Sequence, residues 1–184
     1  VTTTLSSGNW LVEGYFYIND LAIYDWDLSD NTNTKWIYAA LGYGAGHKRM
    51  ESTYLDIYES GLYRSQDNGT TWNKIMDSDL FNGTFPLQIN DIEIQVGSNR
   101  IWISTSSSNG RDGGEFFYSD DGTSFIQAIP TYNVPPTNVG RTEIASSQTN
   151  SRTHYVLMRA NKLAELYKTV DNFVNLTKLA EPND

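Results

Sequence analysis

The chain has 184 residues, of which 39% are hydrophobic, and its 13 basic against 22 acidic side chains give a formal net charge of -9. This length and composition support a folded core, while the negative charge argues against nucleic acid or an anionic membrane surface as a partner. The sequence has no cysteine and only two histidines, which excludes disulfides and thiolate chemistry and argues against a metal site. No apolar run is long enough for membrane insertion, and we expect no cofactor.

A pattern of four short strands recurs along the chain. In each copy, β-branched and aromatic runs of strand length are separated by clusters of glycine, asparagine, aspartate and serine, as in antiparallel strands joined by turns. The first strands are predicted at residues 18–23, 89–94 and 141–145, the second at 36–40, 101–105 and 154–158, and the fourth at 73–75, 126–129 and 177–179. Four short strands in each repeat of about 50 residues predict the blade of a β-propeller.

The third strand of each copy leads into a turn built on an aspartate. Residues 61–72 align without gaps on residues 114–125, and residues 166–176 form a weaker third copy. This alignment places Asp67, Asp120 and Asp171 at one position of the repeat. A carboxylate there can accept hydrogen bonds from nearby main-chain N–H groups, and Gly69 can take the positive φ that closes a hairpin. The spacing thus predicts three turns of one kind.

The first copy of the turn has the full set of residues for this chemistry, and the other two depart from it. The predicted structural residues are Ser65, Asp67, Gly69, Thr71 and Trp72 in the first copy, Asp120, Gly122 and Phe125 in the second, and Asp171 in the third. In the gap-free alignment Tyr118 replaces the serine of the second copy, and Phe173 stands where the third copy should have glycine. The phenylalanine predicts an altered third turn.

These residues resemble the Asp-box motif of sialidases, sortilin-type receptors and xyloglucanase-type glycoside hydrolases. The resemblance implies an all-β fold made of β-propeller blades of four antiparallel strands, three blades of a larger ring, with the Asp-box residues in a structural role away from the ligand. It divides the chain into a lead-in or the end of a preceding blade at 1–14, a blade at 15–80 with a long inserted loop at 42–58, and blades at 81–130 and 131–184. The resemblance therefore also implies that this segment packs against the remaining blades of the ring, which belong to the same protein or to a partner chain.

Candidate binding residues lie in loops that follow the predicted second strands. The loop after the first of these strands combines glycines, tyrosines and a cluster of cations, a composition suited to an acidic group or a sugar. The candidates are Tyr43, His47, Lys48, Arg49 and Tyr54 in this loop, and Arg111 in the corresponding loop of the second blade. An ordinary solvated insertion remains the alternative for both loops.

Two aspartates are candidates for acid–base chemistry. Asp20 and Asp91 occupy the same place in the first strands of neighbouring blades, where their carboxylates could face each other across a sugar at the roughly 5–9.5 Å that glycoside hydrolysis requires. A structural role for an Asn-Asp pair at the start of a strand is the alternative. None of the arginines lies in the Phe-Arg-Ile-Pro context that marks sialidases, which disfavours that activity.

The expected function is binding without catalysis. The sequence favours a secreted or cell-surface segment, or a periplasmic one, that binds a protein or a glycan, as sortilin-type proteins do. Two alternatives stay open: a secreted glycoside hydrolase of the Asp-box type, and a scaffold subunit that uses the blade faces as interfaces.

Overall fold

The computed structural model of the chain describes residues 16–24, 35–43, 60–83, 85–95, 97–98, 100–107 and 112–180. Regular structure in these ranges consists of β-strands and one short 3-10 helix, Ser78–Leu80, so the prediction of an all-β fold is confirmed. No helix in them is long and apolar enough to cross a membrane. The predicted lead-in at 1–14 and most of the predicted insertion at 42–58 lie outside the described residues.

The strands form three four-stranded meanders, here called units 1, 2 and 3, with two short additions. Unit 1 comprises β1 (Phe16–Tyr24), β2 (Trp36–Tyr43), β3 (Gly61–Ser65) and β4 (Asn73–Lys74), and is followed by a hairpin of β5 (Phe81–Asn82) and β6 (Phe85–Pro86). Unit 2 comprises β7 (Ile89–Ile94), β8 (Ile101–Thr105), β9 (Phe116–Ser119) and β10 (Ile126–Ala128). After β11 (Thr131–Tyr132), unit 3 comprises β12 (Val139–Ser146), β13 (His154–Ala160), β14 (Leu163–Thr169) and β15 (Asn175–Lys178).

Each strand of a unit pairs antiparallel with the strand before it, from first to fourth. β11 extends the sheet of unit 3 to five strands by pairing parallel with β15. Because the strands alternate in direction, the connections after the first and third strands lie at one end of each sheet, and the connection after the second strand lies at the other. We call these the Asp-turn end and the loop end.

The three sheets pack face to face, with unit 2 in the middle. We call the face of a sheet that points toward the preceding unit its N-side face, and the opposite one its C-side face. The C-side face of unit 1 packs on the N-side face of unit 2 through residues that include Tyr38, Leu62, Ile103 and Phe117. The C-side face of unit 2 packs on the N-side face of unit 3 through residues that include Trp102, Phe116, Val156 and Tyr167.

This arrangement explains the different burial patterns of two second strands. All five residues of β8 are buried, because neighbouring sheets cover both faces of unit 2. Buried and exposed residues alternate in β13, because the N-side face of unit 3 packs on unit 2 while its C-side face is exposed.

The first strand of every unit contains a bulge near its start. A bulge inserts one residue into a strand and changes the direction of the neighbouring side chains. The register shifts lie between Ile18 and Asp20 in β1, between Ile89 and Asp91 in β7, and between Val139 and Thr142 in β12. The bulges of β1 and β7 thus coincide with the repeated Asn-Asp pair of the sequence.

Candidate functional site

The turn between β3 and β4 is organised around one carboxylate. Asp67 Oδ1 accepts hydrogen bonds from the Ser65 hydroxyl at 2.8 Å and from the Thr71 main-chain N–H at 2.7 Å. The Gly69 N–H donates to Ser65 Oγ at 2.8 Å, with Gly69 at a φ of 86°. Trp72 Nε1 donates to the Gly69 carbonyl at 3.1 Å and closes the turn. The hydrogen bonds from Thr71, whose hydroxyl also donates to Asp67 Oδ2, and from Ser65 hold the pKa of Asp67 below its ordinary value, so the group is an anion that its own turn binds.

The third turn has the same geometry, and the expectation that Phe173 alters it is wrong. Asp171 Oδ1 accepts from the Thr169 hydroxyl at 2.8 Å and from the Asn175 N–H at 2.9 Å. The Phe173 N–H donates to Thr169 Oγ1 at 3.2 Å, and Phe173 adopts a φ of 62°. Phe173 therefore takes the left-handed conformation that Gly69 takes in the first turn.

The second turn is built on Asp121, and the gap-free alignment that assigned this role to Asp120 is wrong by one residue. Asp121 Oδ1 accepts from the Ser119 hydroxyl at 2.9 Å and from the Thr123 and Ser124 N–H groups at 2.7 Å each. Although burial opposes the shift, these hydrogen bonds lower the pKa of Asp121 to about 2. The serine of the motif is thus Ser119, and this turn is one residue shorter than the first.

Asp120 instead forms an ion pair outside the turn. Its carboxylate accepts from Arg100 Nε at 2.7 Å and from Arg100 Nη2 at 2.8 Å. The guanidinium carbon of Arg100 also lies 4.2 Å from the ring centroid of Tyr118. Arg100 holds the pKa of Asp120 below its ordinary value, and the pair lies on an exposed part of the sheet.

The two adjacent aspartates permit a direct test of this reassignment. We expect Asp121→Ala to lower the free energy of unfolding by about 1–2 kcal/mol, as for the loss of a side chain that caps main-chain N–H groups. Asp120→Ala removes only an exposed ion pair and should cost less than about 1 kcal/mol. Urea denaturation of both variants measures the difference. A larger loss for Asp120→Ala would reject the assignment of Asp121 to the turn.

Unit 1 holds the turn of unit 2 in place. Arg64 Nη1 donates to the Gly122 carbonyl at 2.9 Å and to Thr123 Oγ1 at 2.7 Å, and the Tyr38 hydroxyl donates to the same carbonyl at 3.2 Å. The guanidinium of Arg64 lies 4.6 Å from the ring centroid of Trp36. Gly122, at a φ of 69°, allows this approach, because a Cβ there would come within 2.1 Å of Tyr38 Oη. Gly122 therefore serves the contact between units as well as the turn.

The Asn-Asp pairs of the first strands join one unit to the next. Asn19 Nδ2 donates to the Ile89 carbonyl at 2.7 Å, and Asp20 Oδ2 accepts from the Ile92 N–H at 2.8 Å. The first strand of a sheet has an unpaired edge, so its outward main-chain groups need partners from outside the sheet. The preceding unit supplies them through these two side chains.

The same contact recurs between units 2 and 3, and we call it the Asn-Asp clasp. Asn90 Nδ2 donates to the Thr142 carbonyl at 2.6 Å, and Asp91 Oδ2 accepts from the Ile144 N–H at 2.6 Å. Glu93 extends this second clasp, since its Oε1 accepts from the Ser146 N–H at 3.0 Å. The two candidate catalytic carboxylates, Asp20 and Asp91, are thus each bound to the backbone of a neighbouring strand.

The environment of Asp91 favours the neutral carboxylic acid over the charged carboxylate. Burial, together with the negative charges of Glu143, Asp20 and Glu93, raises the pKa of Asp91 to about 7, although the Ile144 N–H bond opposes the shift. Burial also raises the pKa of Glu93. A proton held on Asp91 near neutral pH fits a carboxyl group enclosed between two sheets as well as it fits an acid catalyst.

A buried histidine ties the third turn to the first strand of its own unit. His154 Nδ1 lies 2.8 Å from Ser146 Oγ, and His154 Nε2 lies 3.2 Å from Asn172 Oδ1. Burial lowers the pKa of His154, and its ring stacks on Phe173 with the centroids 4.9 Å apart. A serine, a histidine and an asparagine in contact in this order resemble a group that activates a serine nucleophile, but His154 is fully buried under an aromatic ring. Its role is therefore to position the turn, and the sequence analysis did not single it out.

Most of the predicted binding residues lie outside the described part of the chain. Nothing is described for residues 44–59, which contain His47, Lys48, Arg49 and Tyr54, or for residues 108–111, which contain Arg111; of Tyr43, at the end of β2, only the backbone is described. These binding roles stay predictions. The stem of the second loop, however, is described and is firmly anchored.

Main-chain hydrogen bonds fix this stem to the first strand of unit 3. The Ser107 N–H donates to the Gly140 carbonyl at 2.7 Å, and the Gly113 N–H donates to the Val139 carbonyl at 2.8 Å. The approach at Gly113 is so close that a Cβ would lie 2.5 Å from the Gly140 oxygen. Ser107 and Gly113 are therefore both held by main-chain hydrogen bonds to unit 3.

The comparisons with known proteins concern the fold alone. Neither a family model nor a curated protein matches the chain. Among the solved structures 14 chains match, including the crystal structure of a protein of unknown function from Dyadobacter fermentans DSM 18053. With a TM-score of 0.53 and 14% identity, that match covers 78% of this chain and 47% of that chain. The described residues contain no group of three or more histidine, aspartate or glutamate side chains placed to hold a metal ion.

Proposed function

We propose that units 1–3 are blades of an Asp-box β-propeller of the sortilin and sialidase-repeat type, and that the chain is a non-catalytic binding segment of a larger ring. The observation that carries this proposal is the Asn-Asp clasp, which joins first strand to first strand twice in the same direction. Such contacts, with one Asp turn on the outer hairpin of each unit, are what sheets arranged around a common axis require.

The hydrogen bonds that the two candidate carboxylates accept argue against a catalytic role, and so favour a binding function over glycoside hydrolysis. Asp20 and Asp91 accept hydrogen bonds from main-chain N–H groups of neighbouring strands, at 2.8 Å and 2.6 Å. A catalytic pair has to contact the substrate, whereas these carboxylates satisfy the protein's own backbone. We therefore assign them to the framework and assign ligand binding to the loop end.

The proposed ligand is an acidic glycan or an acidic protein surface, met outside the cytoplasm or in the periplasm. The proposed recognition element is the short basic cluster Lys48 and Arg49, which follows His47 in the sequence of a chain of net charge -9. Arg111 belongs to the second loop, whose stem is anchored to unit 3. Loops on a rigid stem bind with a smaller loss of conformational entropy.

A glycan array with sialylated, sulfated and neutral glycans tests this proposal. We expect acidic glycans to bind, and we expect Lys48→Ala with Arg49→Ala to weaken binding at least about tenfold, as for the loss of charge-assisted hydrogen bonds. Arg152→Ala is the matched control, because it removes an exposed cation at the Asp-turn end and should leave affinity unchanged.

A parallel assay with fluorogenic glycosides separates binding from hydrolysis. Turnover that disappears in both Asp20→Asn and Asp91→Asn, while each variant remains folded by circular dichroism, would favour the glycoside hydrolase alternative. Equal binding of acidic and neutral glycans would reject the basic loop as the recognition element.

A further inference from the structure

Two Asn-Gly pairs of the described chain lie in very different surroundings. The pair at 68–69 belongs to the first Asp turn, and the pair at 82–83 belongs to the β5–β6 hairpin; a threonine follows each of them in the sequence. Asparagine is chemically labile, above all before glycine, because a glycine nitrogen carries no neighbouring side chain that hinders its attack on the asparagine amide. The sequence makes the two pairs equal, and the fold makes them different.

The pair in the Asp turn is held at both of the groups that would react. Asn68 Oδ1 accepts a hydrogen bond from the Lys35 N–H at 2.6 Å, and the Gly69 N–H donates to Ser65 Oγ at 2.8 Å. The Gly69 carbonyl accepts from Trp72 Nε1 at 3.1 Å. The Asn68 amide and the Gly69 nitrogen can therefore meet only if the whole turn opens.

The pair in the hairpin is open. Asn82 and Gly83 are both exposed, and neither the Asn82 side chain nor the Gly83 N–H makes a hydrogen bond to another described residue. Gly83 adopts a φ of 64°, and a Cβ built on it would have no atom within 4 Å. Nothing in the described chain thus shields the Asn82 amide carbon or occupies the Gly83 nitrogen.

Few contacts fix the main chain around Asn82. The ladder of the hairpin contains two residue pairs, and the pair of Asn82 with Phe85 is the one next to the turn. A ladder of this length opens at a low cost in free energy. The main chain of Asn82 can therefore rotate until the Gly83 nitrogen reaches the side-chain amide.

We propose that Asn82 is a site of spontaneous deamidation, with water as the only co-reactant. The Gly83 nitrogen loses its proton to hydroxide and attacks Asn82 Cγ; the N–Cγ bond forms, the Cγ–Nδ2 bond breaks, and Nδ2 takes a proton from water and leaves as ammonia. Water then opens the cyclic imide. Hydrolysis at Cγ gives aspartate, and hydrolysis at the main-chain carbonyl carbon gives isoaspartate. The net reaction consumes water and releases ammonia, without oxidation or reduction.

Either product changes the surface and leaves the core intact. The new carboxylate makes the net charge of the chain more negative than its original -9, and isoaspartate also inserts a methylene into the main chain of the hairpin. The change stays at the tip, because the Leu87 N–H donates to the Leu80 carbonyl at 2.8 Å below the ladder, and both side chains are buried in the core shared by units 1 and 2.

Peptide mapping of the folded chain after incubation at mildly alkaline pH tests the proposal. Trypsin cleaves after lysine and arginine and so releases the two pairs in separate peptides, 65–74 and 75–100. Tandem mass spectrometry follows the gain of about 1 Da at each asparagine as its amide becomes a carboxylate, and a zero-time sample corrects for conversion during digestion. We expect Asn82 to convert at least about tenfold faster than Asn68, because the free energy of local opening sets the rate at each pair.

The chain unfolded in urea is the matched control. Both asparagines are followed by Gly-Thr, so they should convert at similar rates once the fold no longer protects Asn68. Asn82→Gln is the second control, because a longer side chain closes the imide ring poorly. This variant should keep the circular dichroism spectrum of the parent and lose the acidic species that anion-exchange chromatography assigns to peptide 75–100.

Three results would overturn the inference: equal rates at the two asparagines in the folded chain, a faster rate at Asn68, or an unchanged Asn82 over a period in which the unfolded chain converts. None of these measurements involves glycan binding or the number of units in the ring. Failure of this inference and failure of the proposed function can therefore be told apart.

Discussion

Replacing Phe173 with glycine should destabilise the protein, although glycine is the residue that the turn geometry favours. At a φ of 62° a non-glycine residue costs about 1–2 kcal/mol, which Phe173→Gly would recover. The ring, however, is fully buried, with centroids 4.5 Å from Trp102 and 4.6 Å from Phe116. Removing a buried phenylalanine side chain costs about 3–5 kcal/mol. The loss of packing exceeds the relief of strain, and we expect a net loss of about 1–4 kcal/mol by the same principles.

Urea denaturation followed by tryptophan fluorescence measures this loss, because Trp102 is in contact with the deleted ring. Lys162→Gly serves as the control: Lys162 adopts a φ of 69° in the exposed hairpin between β13 and β14, so glycine there relieves strain without loss of packing. We expect that variant to be neutral or slightly stabilised. A Phe173→Gly protein at least as stable as the parent would mean that the relief of strain equals or exceeds the loss of packing at this turn.

The elements that could be predicted from sequence are those that depend on local chemistry. The strands and the first turn follow from side chains close to one another in the chain: Ser65, Asp67 and Thr71 lie within seven residues and bond to one another. Local patterns of this kind repeat visibly, so the all-β fold and the order of strands within each unit could be read before the structure.

The second turn shows where local pattern reading fails. Asp120 and Asp121 are adjacent, and the alignment of two glycines, Gly69 and Gly122, selected Asp120. The structure instead conserves the spacing from Ser119 to Asp121, because the hydroxyl and the carboxylate must bond each other across one residue. The turn can lose one residue after the aspartate. It cannot change the spacing of one residue between the serine and the aspartate. A search for Ser-x-Asp would have found the right residue.

The roles of Asp20 and Asp91 could not be predicted because their partners are distant in sequence. Asp20 bonds the N–H of Ile92 across 72 positions, and Asp91 bonds that of Ile144 across 53. Read locally, each is a free carboxylate near a strand start, and two such groups suggest acid–base chemistry. The repetition of the Asn-Asp pair was the available sequence signal for a structural role. Two catalytic carboxylates need different environments, so that their pKa values differ, whereas a contact that recurs between units uses the same residues each time.

The pH dependence of stability should expose the carboxyl group enclosed by the second clasp. Asp91 has an ordinary pKa of 3.8 when unfolded and a pKa of about 7 when folded. Between these values the folded chain holds a proton that the unfolded chain has released, so the free energy of unfolding falls as pH rises through this window. The slope is at most about 1.4 kcal/mol per pH unit for one proton, and the raised pKa of Glu93 acts in the same direction. Below pH about 4, the lowered pKa values of Asp121 and Asp171 reverse the trend, and stability is lost as their carboxylates are protonated.

Asp91→Asn should remove most of this decline. Asparagine keeps an oxygen that accepts from the Ile144 N–H and carries no charge, so the cost of ionising a group between two sheets disappears. Relative to Asp91→Asn, we expect the parent protein to lose roughly 2–3 kcal/mol of its free energy of unfolding between pH 5 and pH 8, and the variant to be the more stable of the two at pH 8. The difference between the two proteins is the measure, because the lowered pKa of His154 raises the stability of both as pH rises through this range. Urea midpoints at four pH values measure both curves.

Asp120→Asn is the control, because the lowered pKa of Asp120 keeps that carboxylate ionised in both the folded and the unfolded chain over this range. Parent and Asp91→Asn curves that run parallel from pH 5 to pH 8 would show that Asp91 is hydrated, and that the sheets of units 2 and 3 do not enclose it.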